Sequence, residues 1–134
     1  MASLVEVEGI GKVYAQKLKA AGVGTTRALL EKGATSKGRK ELAEKTQVSE
    51  KLILEWVNHA DLFRIRGVGS EYADLLEEAG VATVRELATR KAENLYQKLD
   101  ATNQRKKLVR RLPTREQVAD WVEQAKRLPG LIRY

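Results

Sequence analysis

The sequence predicts an all-α fold built from two repeated units, on three observations. A pair of glycines followed by a helical run occurs twice, apolar residues recur at three- and four-residue steps and never alternate as in a strand, and capping residues punctuate the chain at short intervals. Val7 to Leu30 aligns with Ile65 to Ala88 at an offset of 58 (67 − 9 for the first glycines), and 11 of the 24 positions are identical. They include Gly9/Gly67, Gly11/Gly69, Tyr14/Tyr72, Leu18/Leu76, Gly22/Gly80, Thr25/Thr83 and Leu29/Leu87.

The elements follow in order. After Gly11, the residues Tyr14, Ala15, Leu18 and Ala21 form one buried helical stripe, and Gly22 supplies a left-handed C-terminal cap. Thr25 and Thr83 are expected N-caps, and Thr83-Val-Arg-Glu86 has the spacing of a capping box. Further helices are expected at about Lys37 to Lys45, Glu50 to Arg64, Ala92 to Leu99, Asn103 to Arg111 and Arg115 to Leu128. Ser49 and Thr114 cap the two tryptophan-bearing helices, with Pro113 and Pro129 breaking the chain around the last. SEKLILEWV from Ser49 lines up with TREQVADWV from Thr114 at an offset of 65, so the second half is longer by seven residues (65 − 58). The halves, 1–64 and 65–134, are expected to share one core as one compact domain. Each is short for independent stability, and no Pro/Ser-rich linker lies between Val57 and Gly67.

Composition narrows the function classes. Hydrophobic residues are 43% and charged residues 32%, the balance of a folded soluble protein. Lys and Arg number 25 against 18 acids, a net charge of +7 and a pI near 9.7, which suits an anionic partner. The absence of cysteine excludes disulfides, thiolate metal sites and thiol nucleophiles. No apolar run is long enough to span a bilayer and Met1-Ala2-Ser3-Leu4 does not start a signal peptide, so a cytoplasmic protein is expected. His59, the only histidine, has no partner set for a metal or nucleophile and reads as an ordinary surface or packing residue. Trp56, Trp121, Tyr14 and Tyr72 read as core. No metal, cofactor or catalytic constellation emerges, and no enzyme or small-molecule substrate is expected.

The pattern apolar-Gly-apolar-Gly-x-x-Tyr-Ala-x-x-Leu-x-x-Ala-Gly-Val resembles the helix-hairpin-helix motif of DNA-repair, recombination and replication proteins. That resemblance implies a turn and a helix start whose N–H groups bind phosphate oxygens. Base-excision glycosylases share the hairpin, but their Gly-Pro-rich loop and catalytic aspartate are missing here. Taken from Glu6 to Tyr134, the chain is similar to a bacterial family, domain of unknown function 4332, with two such hairpins each followed by a tryptophan helix. This second resemblance implies the fold and leaves the function open.

Charge separates the two hairpins. Lys12, Lys17 and Lys19 follow Gly11, whereas Glu71, Asp74, Glu77 and Glu78 follow Gly69. Phosphate binding is therefore assigned to Gly9, Ile10, Gly11, Lys12 and Lys17, and Gly67-Val68-Gly69 is taken as a structural copy. The acid-free run Gln104 to Arg115 adds Arg105, Lys106, Lys107, Arg110, Arg111 and Arg115, expected on one face of a helix with Leu108 and Leu112 turned inward. Two readings stand: non-sequence-specific binding of nucleic-acid backbone, DNA more than RNA, or a docking module whose hairpins are purely structural and whose basic face meets an acidic protein.

Overall fold

The computed structural model describes residues 4–7 and 9–134. The expectation about Met1-Ala2-Ser3 lies outside these. Among the described residues a short 3₁₀ turn, Leu4–Glu6, is followed by eight α-helices and no strand. The helices are α1 (Lys12–Ala20), α2 (Thr26–Lys32), α3 (Ser36–Thr46), α4 (Glu50–Leu62), α5 (Ser70–Glu78), α6 (Val84–Ala88), α7 (Ala92–Lys106) and α8 (Arg115–Arg127). None is long and apolar enough to cross a membrane.

Two units divide the chain. The first runs to Asp61 and takes in Leu131–Tyr134; the second is Leu62–Gly130. In the first, α3 packs on α1 and α2, and the chain's last residues join it through a buried arginine. The Arg39 guanidinium donates to the Gly33 carbonyl at 2.8 Å and the Arg133 carbonyl at 2.7 Å, while the Arg133 N–H donates to the Ala34 carbonyl. Two carbonyls replace the water that this buried cation gives up. In the second unit α8 packs on α6 and α7, and α5 on α7, around a core that includes Leu75, Leu76, Leu87, Leu95, Leu99 and Trp121.

Local chemistry sets most of the helix starts. The Thr25 hydroxyl accepts from the Ala28 N–H, Thr83 from Glu86, and Ser49 from Leu52. Thr114 forms a full capping box with Gln117. At Thr83 the box is displaced by one residue, because the Glu86 carboxylate accepts from the Ala82 N–H instead of that of Thr83. Gly22 and Gly80 follow α1 and α5 at φ 90° and 96°, a left-handed conformation that costs glycine little.

Two expectations are corrected. No helix spans Asn103 to Arg111: α7 is one helix of 15 residues from Ala92, and it stops at Lys107, which takes the left-handed C-cap at φ 53°. The Asn103 side chain holds that stop, accepting from the Val109 N–H at 3.0 Å and donating to the Val109 carbonyl at 3.2 Å, so the backbone finds partners without continuing the helix. Tyr14 is not buried, being 36% exposed. His59, by contrast, is a packing residue at 5% exposure, with Nδ1 3.1 Å from the Glu55 carbonyl.

Candidate nucleic-acid interface

The first glycine turn is built by its backbone. Val7 N–H donates to the Leu4 carbonyl and Ile10 N–H to the Val7 carbonyl, which coils the chain into α1. Gly9 sits at φ 89°, and a Cβ there would lie 3.5 Å from Nε1 of the buried Trp56. Gly11 is different. Its φ of −87° is open to any residue, a Cβ on it would meet nothing within 4 Å, and it caps α1 without any side-chain hydrogen bond. The positive φ therefore explains glycine at 9, the Trp56 contact being an ordinary one, and nothing local demands glycine at 11.

Around this turn Lys12, Lys17 and Lys19 are exposed on α1. The Ile10 side chain is buried, so only its backbone can meet a ligand. Tyr14 packs on Trp56 at 5.1 Å between ring centroids, with the Lys17 ammonium 5.8 Å from the Tyr14 ring centre, and Val13 is 66% exposed. Val13 and Tyr14 are missing from the sequence-derived set. The signal for an open face was present in the repeat itself: where the second copy carries the buried Leu75, the first carries Lys17, and a cation there marks a helix side turned to water.

The second turn repeats the backbone and reverses the charge. Gly67 has φ 97° with the Trp121 Nε1 3.1 Å from its would-be Cβ, and Gly69 at φ −101° caps α5 without a side-chain bond. Tyr72 packs on Trp121 at 5.3 Å and donates its hydroxyl to the Arg111 carbonyl at 2.9 Å. Its helix bears Glu71, Asp74, Glu77 and Glu78 and no lysine.

The six basic residues from Arg105 to Arg115 do not share a helix face. Arg105 and Lys106 end α7, Lys107 is its cap, Arg110 and Arg111 lie on the non-helical link, and Arg115 opens α8. Acids distant in sequence reach two of them. Lys106 pairs with Glu78 of α5, and Arg115 pairs with Glu93 at 3.1 Å while its guanidinium lies 4.4 Å from the Tyr96 ring centre. Arg105, Lys107, Arg110 and Arg111 are exposed, with no ion-pair partner among the described residues. Gly9 to Lys17 belong to the first unit and Arg105 to Arg115 to the second. Among the described residues no group of His, Cys, Asp and Glu could hold a metal ion.

The chain belongs to the family described as Domain of unknown function (DUF4332), whose model matches residues 8–128. No curated protein and no solved structure matches it.

Proposed function

We infer that this protein binds nucleic-acid backbone without reading sequence, DNA in the first instance, and does no chemistry on it. The observation that carries the reading is Gly11: a glycine with an ordinary φ, open space on its side-chain side, and a helix start behind it that no side chain caps. Absence of a Cβ there lets an anion approach the first N–H groups of α1, where the helix dipole adds partial positive charge. Lys12, Lys17 and Lys19 supply formal charge on the same helix. In this reading Gly9 shapes the helix-hairpin-helix turn, and Arg105, Lys107, Arg110 and Arg111 neutralise further phosphates from the second unit. Such interactions give affinity without sequence information.

A salt titration of binding to a fluorescent duplex and a fluorescent single strand tests it. Affinity should fall linearly with log salt, and Lys12→Glu should weaken binding to every sequence alike. Ser70→Glu, the matched change beside Glu71 and Asp74, should do little. Equal effects of the two substitutions, or no binding even near ~50 mM salt, would remove the reading. The exposed Val13 and Tyr14 favour a second one, docking to an acidic protein surface.

A further inference from the structure

A hollow in the first unit lies where the second unit carries a larger side chain at the aligned position. A groove of about 200 Å³ runs beside α1, walled by Leu4, Val5, Ala15, Gln16, Lys19 and Gly24. The offset of 58 carries these positions onto Leu62, Phe63, Ala73, Asp74, Glu77 and Ala82 (4 + 58 = 62 to 24 + 58 = 82). The backbone keeps that register, since Val7 N–H donates to the Leu4 carbonyl at 3.0 Å and Ile65 N–H to the Leu62 carbonyl at 3.0 Å. Two substitutions remove volume from the first unit: Val5 stands for Phe63, and Gly24 for Ala82.

The consequences are visible in burial. Phe63 is half-buried against the core of its unit, and Ala73 is 0% exposed. In the first unit Ala15 is only half-buried and Val5 is 54% exposed. The rim charge is inverted as well, with Lys19 where the second unit has Glu77.

We propose that this groove is the docking site of an acidic peptide segment that inserts one aromatic side chain. Size agrees, because a cavity of about 150 Å³ accommodates a benzene ring. Shape agrees, because the chain's own Phe63 occupies the aligned position in the second unit. Charge fixes the flanks: Lys19 stands in the groove wall and α1 carries three lysines and no acid, so carboxylates beside the aromatic residue meet complementary potential while basic flanks are repelled. The walls of the groove include neither Gly9, Gly11 nor Lys12, so the apolar pocket lies apart from the glycine turn, and Lys19 is the one wall residue that also belongs to the basic face of α1.

The test is fluorescence anisotropy of the full chain with a fluorescein-labelled peptide, Asp-Glu-Phe-Glu-Asp. Saturable binding is expected, weakened at least about tenfold when the peptide's phenylalanine is replaced by alanine, a loss typical of an anchor side chain. V5F/G24A fills the hollow with the second unit's own residues and should abolish peptide binding while leaving the thermal midpoint and the affinity for duplex DNA unchanged. Gly24 tolerates the change, since a Cβ there meets nothing within 4 Å. Lys19→Glu, on an exposed position, should weaken the peptide by itself and remains readable if V5F/G24A misfolds. No saturable binding up to about 1 mM peptide, equal affinity for the alanine peptide, or undiminished binding by a folded V5F/G24A would each overturn the proposal. Failure of the unaltered chain to bind duplex, with the peptide still bound, would count against the nucleic-acid reading and leave this one standing.

Discussion

The indole Nε1 of Trp121 lies 3.1 Å from the point that a Cβ on Gly67 would occupy. Glycine is favoured there by a φ of 97°, and a Cβ would press on the indole, which would have to give by a few tenths of an ångström. Gly67→Ala should therefore cost at least ~2 kcal/mol in urea denaturation, combining left-handed strain with displacement of a buried ring. Gly69→Ala, at φ −101° with open space around it, should stay within ~0.5 kcal/mol. Equal costs at the two positions would show that the turn is not held in this way.

Asn103 decides where α7 ends. Asn103→Ala removes both hydrogen bonds to Val109 and should cost ~1–2 kcal/mol, with faster amide exchange confined to residues 107–112. Loss of the left-handed signature of Lys107 in the variant, read from backbone chemical shifts, would confirm that the side chain provides the stop. Unchanged exchange would refute it.

Arg39 fastens the residues after Gly130 to the first unit. Arg39→Met keeps much of the stem's apolar volume but loses the bonds to the Gly33 and Arg133 carbonyls, so stability should fall by ~2–4 kcal/mol. Leu131–Tyr134 should then become sensitive to carboxypeptidase. Arg39→Lys should rescue only part of the loss, because one ammonium lacks the planar fork that reaches two carbonyls.

Position within the basic run should predict each residue's weight in nucleic-acid binding. Replacing Arg110 and Arg111 with glutamine should lower affinity and flatten the log-salt slope by roughly one unit for each phosphate that is no longer neutralised. The same change at Lys106 and Arg115 should have a smaller effect, since Glu78 and Glu93 already neutralise them. Equal slopes for the two double variants would mean that the ion pairs open on binding.

What could be read from the sequence was whatever neighbouring residues settle among themselves. Caps at Thr25, Ser49, Thr83 and Thr114 each act within three residues, and the apolar spacing from Tyr14 to Ala21 marked α1 without reference to the rest of the chain. Leu18 is buried as that spacing implied, and Trp56 is buried as its large aromatic surface implied. The exposure of Tyr14 was not legible, since the stripe places it on the inward side and only the packing around it leaves the ring uncovered. The run from Asn103 to Arg111 reads as helix by composition, yet Asn103 bonds to Val109 and the helix stops at Lys107, a choice made by competing hydrogen bonds.

Tertiary structure alone decided how the charges count. Lys106 meets Glu78 across 28 residues and Arg115 meets Glu93 across 22, so an acid-free run in sequence is only partly uncompensated in space. Arg39 could be recognised as a buried cation only once Arg133, 94 residues away, was seen to accept its hydrogen bond. Local rules assign helices because backbone groups satisfy one another within a few residues, whereas desolvation of a charge or the filling of a groove depends on atoms that the chain brings close only by folding.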